Sequence, residues 1–266
     1  MFSMMHYTGN SMECLRTING LVAKATGGFT KINKNVVALW GKPRDNKLNT
    51  ISNDAIIINH PLKTAIARSK LRTLNTLSAV GCSVVPYTTS YKEALVWARN
   101  GDTVYARTKL NSFGGKGIVV ITPETVHSMY TMADCALFTL GIPYEDCVEY
   151  RVHAGRNSSG EVVVIDITQK KRRNGWKDLS TFSNTVRNYK NGWVYCRMNS
   201  EVPGCIITES RKAIKYTGVE FGAVDIIYRR SNHTPYILEV NTAPGLDSPT
   251  TIQKYAEFFT EIAVNV

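Results

Sequence analysis

The alternation of apolar and polar residues predicts a chain of mixed helices and strands. Strands are predicted over residues 36–41, 54–59, 103–107, 118–121, 135–140, 149–153, 161–168, 221–228 and 236–241. Helices are predicted over residues 65–80, 91–100, 124–133, 207–217 and 251–264. Helices and short strands that follow one another in this way favour the α/β fold class, taken broadly to include α+β arrangements.

The last predicted hairpin carries polar residues in an otherwise apolar setting. Strand 221–228 contains one carboxylate, Asp225, and strand 236–241 contains Glu239 and Asn241. Because side chains alternate between the two faces of a strand, Glu239 and Asn241 share a face. An ionised carboxylate inside a sheet is stable only when it is paired or bound to a metal, and oxygen donors of this kind suit magnesium. The pattern therefore predicts a metal site.

A second interpretation of the same hairpin stays open. In this interpretation Glu239 forms a salt bridge with a neighbouring arginine, and Asn241 only opens the turn at Pro244. Such pairing is common for carboxylates in strands. In both interpretations, regular alternation places Ile237 on the same face as Glu239.

Composition and charge limit the classes of function. The chain has 266 residues and 43% hydrophobic residues, as in a soluble globular protein, and its net charge is +11. This charge favours polyphosphate or acidic partners; nucleic acid is possible but not favoured, because the basic residues are dispersed. The six cysteines form no C-x-x-C pair, which argues against a zinc or redox motif. We see no signal peptide and no membrane span, and expect a cytoplasmic protein, or one in the host cytoplasm if phage-encoded.

The run from Val224 to Tyr228, a short loop and the run from Tyr236 to Leu246 resemble the closing motif of the ATP-grasp superfamily. The resemblance is greatest to D-alanine:D-alanine ligases, to ligases that add glutamate to a ribosomal protein, and to short ATP-grasp proteins of tailed phages. It implies that Asp225, Glu239 and Asn241 hold Mg²⁺ on ATP, with two ions expected and Mn²⁺ able to substitute.

Three earlier segments follow the order of the same family. The segment around Ser69 and Lys70, the glycine-rich loop 111–117 and the strand at 137–140 resemble its phosphate-binding and hinge segments. The ATP-binding residues that the resemblance implies are Lys70, Arg107, Ser112, Gly114, Gly115, Lys116, Gly117, Leu137, Phe138, Thr139 and Leu140. Taken without the resemblance, Lys70 is a surface lysine and the loop is an ordinary glycine-rich hairpin.

Two positions depart from the family pattern. Arg107 stands where most members have a lysine that bridges the phosphate and the adenine. Thr139 stands near the place of the acid that contacts the ribose, for which Glu145 or Asp146 could substitute. The ribose contact therefore stays open.

The segment 149–153 and the following strand pattern at 164–173 resemble the transfer site of the phage-type members, which implies catalytic roles for Arg151, Lys170 and Lys171. The D-alanine ligases carry an arginine two residues before the metal-binding Asp, and this chain has Ala223 there, so Arg151 is the replacement candidate. The alternative for the basic run at 170–173 is a solvated strand end. The polar, aromatic-containing segment 174–204 is typical of a lid that sets acceptor specificity.

The resemblance implies two α+β lobes that grip ATP, preceded by a small, truncated Rossmann-like unit. We expect that unit over 1–64 and an ATP-grasp domain over 65–266, with one lobe at 65–135 and the other, containing the metal site, at 136–266. The implied function is an ATP-dependent carboxylate-amine ligase that works through an acyl phosphate and joins a carboxylate to an amino acid, peptide or protein amine. The alternatives are a kinase-like ATP-grasp phosphotransferase and a non-catalytic module that binds nucleotide or nucleic acid.

Overall fold

The computed structural model describes residues 2–5, 14, 16–17, 36–41, 51, 53–110, 117–132, 134–198, 201–246 and 248–265. Its strands are β1 (Phe2–Met5), β2 (Val36–Leu39), β3 (Ile56–Ile58), β4 (Tyr87–Thr88), β5 (Val104–Arg107), β6 (Ile118–Ile121), β7 (Leu137–Leu140), β8 (Cys147–Arg156), β9 (Val162–Arg172), β10 (Trp193–Cys196), β11 (Phe221–Arg229) and β12 (Thr234–Asn241). Its helices are α1 (Lys70–Ala79), α2 (Tyr91–Arg99), α3 (Gly204–Thr217) and α4 (Pro249–Asn265). The predicted α/β fold class is confirmed.

The first described strands form a parallel sheet in the order β1-β2-β3. Trp40, which follows β2, is buried, and its ring lies 5.1 Å from that of Phe221 on β11 and 5.2 Å from that of Tyr255 on α4. Large aromatic rings in such contact contribute much apolar burial. The small N-terminal sheet therefore shares a hydrophobic core with the end of the chain.

A four-stranded antiparallel sheet has the order β4-β7-β5-β6. Helix α2 packs on it through Ala94 and Ala98, which are buried with Val104 and Phe138.

The division of the chain into domains stays a prediction. Strand β7, which that division assigns to the second lobe, pairs with β4 and β5 of this sheet.

A five-stranded antiparallel sheet has the order β10-β9-β8-β11-β12. One of its faces packs on α3, where Ile206 and Ile214 join Val152, Val224 and Ile237 in one buried cluster. The apolar stripe of an amphipathic helix explains this packing. The opposite face of the sheet carries the charged residues described below.

A β-bulge interrupts the pairing of β11 with β12. Asp225 lies opposite Glu239, whereas Ile226 lies opposite Ile237, so that Leu238 has no partner of its own. An extra residue of this kind shifts the alternation of side chains by one position. The prediction that Ile237 shares the face of Glu239 was therefore wrong: Ile237 is fully buried in the cluster with α3.

Two predicted helices differ from the structure. Helix α1 begins at Lys70 rather than residue 65, and the Ser69 hydroxyl accepts the Arg72 amide at its N-terminus. The helix predicted over 124–133 is a 3₁₀-helix, Pro123–Met132. At its start the Thr125 hydroxyl accepts the Thr122 amide, and such local bonds compete with α-helical ones. In the described part of the chain, no helix is long and apolar enough to cross a membrane.

Gly222 generates a prediction about stability. A Cβ atom there would lie 2.7 Å from the backbone oxygen of Asn241, whereas a Cβ at Gly204 would meet nothing within 4 Å. Because the close neighbour is backbone, Gly222→Ala should destabilise the fold by about 1–3 kcal/mol. Gly204→Ala, the matched control, should change stability by no more than about 0.5 kcal/mol. Urea unfolding measures both, and equal midpoints would contradict this packing.

Candidate active site

The three predicted metal ligands lie together on the charged face of the five-stranded sheet. Asp225 on β11 lies directly opposite Glu239 on β12. The side-chain amide of Asn241 donates from Nδ2 to Asp225 Oδ2 at 3.1 Å and to Glu239 Oε1 at 3.2 Å. The hairpin therefore brings two carboxylates and one amide to a single point.

Each of these carboxylates is paired with a cation. Arg151, the neighbour of Asp225 on β8, donates from Nε to Oδ1 at 2.7 Å and from Nη2 to Oδ2 at 2.9 Å. Lys70, the first residue of α1, forms an ion pair with Glu239. Glu239 thus has the salt bridge that the second interpretation expected, but to a lysine rather than an arginine.

Burial and neighbouring charges set the protonation of these groups. Burial acts most strongly to raise the pKa of Asp225, but Arg151, followed by Lys170 and Lys70, holds it below the usual value. Burial, together with the charge of Arg107, lowers the pKa of Lys70 to about 8, while Asp225 opposes the shift. At neutral pH, Asp225 is therefore ionised and Lys70 is mostly protonated.

The donor chemistry of this site fits a hard cation such as Mg²⁺, which prefers carboxylate and amide oxygens. Among the described residues, no three His, Cys, Asp or Glu side chains converge to hold a metal by themselves. Asp225 and Glu239 would thus need the amide of Asn241 and oxygens from a phosphate to complete the coordination. The Asn241 amide presents its nitrogen to both carboxylates, so its oxygen would reach a metal only after the amide turns over.

Arg107 is the last residue of β5, and it lies close enough to Lys70 for its charge to lower the pKa of that lysine. The Nε of Arg107 is buried and has no hydrogen-bond partner in the described part of the chain. Gly117 has φ +73°, and a Cβ there would lie 2.9 Å from the Thr108 hydroxyl, which favours glycine. Four predicted phosphate-binding residues, Ser112, Gly114, Gly115 and Lys116, lie outside the described residues.

The predicted hinge is strand β7, and most of it is buried. Leu137 and Phe138 are fully buried, Thr139 is 5% exposed, and Leu140 is half-buried. Asp146, one candidate for the ribose contact, instead accepts Arg229 Nε at 2.7 Å and the Ser231 hydroxyl at 2.6 Å. The adenine and ribose contacts stay predictions.

Lys170 lies on the same face of the sheet and is paired with a buried acid. It forms an ion pair with Glu149, which also accepts Arg187 Nε at 3.1 Å and the Tyr195 hydroxyl at 3.2 Å. The Tyr195 ring centroid lies 4.1 Å from the Arg151 guanidinium carbon and 4.7 Å from the Lys170 ammonium. Tyr195 thus links two of the predicted catalytic residues.

Lys171 behaves differently from its neighbour. No carboxylate among the described residues lies within 4 Å of its ammonium. Because adjacent side chains on a strand point to opposite faces, Lys171 and Lys170 do not share a face. The structure therefore places Arg151 and Lys170 together, with Lys171 apart from them.

The residues predicted for the site did not include Glu149, Arg187 and Tyr195. A signal for Glu149 was present, because Glu149, Arg151 and His153 alternate along one strand and so share its face.

His153 is buried, and burial, followed by the charge of Arg151, lowers its pKa to about 3. The ring is therefore neutral at pH 7, and its Nδ1 lies 3.1 Å from the Tyr255 hydroxyl.

Comparisons with known proteins identify the fold. No protein-family model and no curated protein matches the sequence, but solved structures match at probability 1.00. N5-carboxyaminoimidazole synthetase from Staphylococcus aureus, complexed with ADP, has a TM-score of 0.65 at 12% identity over 98% of this chain and 76% of its own.

Two further matches cover almost the whole of both chains. D-alanyl-alanine synthetase A from Vibrio cholerae has a TM-score of 0.63 at 12% identity, over 99% of this chain and 97% of its own. A Chryseobacterium gregarium RiPP-associated ATP-grasp ligase, in complex with ADP and a leader and core peptide, has a TM-score of 0.63 at 14% identity over 98% and 94%. The chain has the ATP-grasp fold, as the sequence motifs predicted.

The Arg151–Asp225 pair generates a second prediction about stability. Arg151→Ala leaves the Asp225 carboxylate, 5% exposed, without its main partner, and should cost about 3–5 kcal/mol of stability. Adding Asp225→Asn removes the stranded charge and should restore part of the loss. A double-mutant cycle by urea unfolding measures the coupling. Additive effects would show that the two side chains do not depend on each other.

Proposed function

We propose that the protein is an ATP-dependent carboxylate-amine ligase that works through an acyl phosphate. The observation that carries the proposal is the meeting of Asp225, Glu239 and Asn241 with Lys70 and Arg151 on one face of the sheet. Oxygen ligands for a cation and positive side chains for phosphate oxygens are the groups that phosphoryl transfer requires. The ATP-grasp fold and the ADP complexes of similar structures support the same chemistry.

Asp225, Glu239 and Asn241 would hold magnesium, which when bound neutralises phosphate charge and orients the leaving group. Lys70 and Arg107 would bind the phosphate oxygens of ATP. Arg151 would face the phosphoryl group in transfer, with Lys170 beside it across the Tyr195 ring. Lys70 and Arg151 are now paired with carboxylates, so the arrival of a cation at those carboxylates would free both side chains for phosphate.

The proposed reaction has two steps. A carboxylate oxygen of the substrate forms a bond to the γ-phosphorus, and the bond from that phosphorus to the ADP oxygen breaks. The amine nitrogen then attacks the acyl carbon, phosphate leaves with the bonding electron pair, and the amine proton passes to solvent. No nucleophile from the protein takes part, so positioning and charge neutralisation are what the side chains supply.

The first functional prediction concerns the intermediate. With ATP, magnesium and an accepted carboxylate, hydroxylamine should trap the acyl phosphate as a hydroxamate, detected by mass spectrometry. ADP should accumulate with both an acid and an amine present. ADP formed with a single alcohol substrate and no hydroxamate would contradict ligation and favour the phosphotransferase. A protein that binds ATP but forms no ADP with any acid would be a binding module.

Metal dependence gives a second functional prediction. Glu239→Gln keeps the size of the side chain but removes a charged ligand, so it should abolish most magnesium-dependent ADP formation while the protein stays folded. Glu220→Gln is a matched control, because Glu220 pairs with Lys63 and the backbone amide of Asn59 elsewhere. Wild-type turnover by folded Glu239→Gln over a magnesium titration would exclude Glu239 as a ligand.

The phosphate contacts give a third prediction. Lys70→Ala and Arg107→Ala should each weaken ATP binding by the roughly 1.5–3 kcal/mol typical of a hydrogen bond to a charged group. Lys92→Ala, on an exposed part of α2, serves as the control. Isothermal titration calorimetry measures the affinities. If both variants bind ATP as the wild type does, the phosphates lie elsewhere.

A further inference from the structure

A cleft opens in the five-stranded sheet where β8 and β9 part. The pairing of these strands ends at Tyr150 and Gln169, so the start of β8 and the end of β9 flank an opening. The cleft has a volume of about 210 Å³. Its charged lining residues are Glu149, Lys170, Lys171, Arg172, Arg187 and Arg230.

The lining has an excess of positive charge. Lys170 and Arg187 both pair with Glu149, the one carboxylate of the lining. Within the described residues, no carboxylate lies within 4 Å of Lys171, Arg172 or Arg230. Because Lys171 points to the other face of β9, Arg172 and Arg230 are the two described cations without acidic partners at the walls of this concave site, and they favour an anion there.

Arg172 is held in place by aromatic rings rather than by acids. Its guanidinium carbon lies 4.3 Å from the ring centroid of Trp176 and 4.9 Å from that of Tyr144, with Phe182 and Trp193 slightly further away. Its one hydrogen bond to another described side chain is long, 3.4 Å from Nη2 to Asn184 Oδ1, and its Nε has no partner among the described residues. A guanidinium fixed in this way keeps donors for a planar anion.

The cleft also adjoins the candidate active site. Lys170 lines the cleft, and its ammonium contacts the Tyr195 ring that Arg151 also contacts. A volume of 210 Å³ is small for a whole ligand, because such sites usually hold about 300–1,000 Å³. It accommodates one group of a larger substrate, and a nucleic-acid backbone would need a longer basic groove.

We propose that this cleft binds a second carboxylate of the acid substrate, with Arg172 and Arg230 as the specificity-determining cations. The identification of the ligand as a substrate rests on the proposed ligase function, while the binding site itself does not. Glu149 shows that a carboxylate is compatible with these surroundings, since two cations already bind it there.

The test is calorimetric titration of the full-length protein, saturated with ADP and magnesium, with N-acetyl-triglutamate and with uncharged N-acetyl-triglutamine. Triglutamate should bind and triglutamine should not. Arg172→Gln and Arg230→Gln should each weaken triglutamate binding about tenfold or more, as expected for a lost contact between opposite charges. Arg211→Gln, on an exposed position of α3, is the matched control and should change the affinity less than about twofold.

Other results would overturn the proposal. Equal affinity in wild type, Arg172→Gln, Arg230→Gln and Arg211→Gln would mean that only the net charge attracts the peptide. Arg172→Gln also removes the guanidinium that packs on the rings of Trp176 and Tyr144, so thermal unfolding must show that this variant is folded. Arg230→Gln tests the site without that complication. Tighter binding of pyrophosphate, or of a ten-nucleotide oligothymidine, with the same losses would make the site one for phosphate or for nucleic acid.

The same samples separate this inference from the proposed function. If triglutamate binds with the expected losses but ATP yields no hydroxamate from it, the cleft is confirmed as an acid-binding site and the ligase proposal loses support. If hydroxamates form with other acids while triglutamate does not bind, the cleft proposal is wrong and the ligase proposal stands.

Discussion

The bidentate contact between Arg151 and Asp225 is the interaction on which the candidate site depends. Both side chains lie in the middle of a five-stranded sheet, where an unpaired charge would be costly. Asp225 is in turn bound by Asn241, which also binds Glu239, and Glu239 pairs with Lys70. One buried pair therefore fixes the positions of the groups that would meet ATP and a metal.

The same network connects the separate parts of the fold. Lys70 begins the helix that precedes the four-stranded sheet, and its partner Glu239 belongs to the five-stranded sheet. On the other side, Tyr195 joins Arg151 to Lys170 and Glu149. Because each carboxylate has a cationic partner in the protein, ATP and a metal would replace these contacts rather than enter an empty site.

Local patterns predicted the α/β fold class and the hairpin of β11 and β12, because both depend on periods of two and 3.6 residues and on short loops. They failed for Ile237, since a bulge depends on how β12 meets β11 and α3. They also could not reveal the contact between Lys70 and Glu239, or that β8 lies beside β11. Such pairings between distant segments depend on the whole chain, and Glu149 and Arg187 become meaningful only after β8 and β9 are placed.

The opening between β8 and β9 shows how one interruption in a sheet produces a site. If the two strands stayed paired to their ends, Glu149 and Lys170 would be ordinary cross-strand neighbours. Where the pairing stops, side chains from both strands and from the segment before β10 converge. Arg172 and Arg187 add positive charge to the lining of the opening. A charge surplus of this kind costs stability unless a ligand offsets it. Its position next to Arg151 therefore favours a role in substrate selection over a purely structural one.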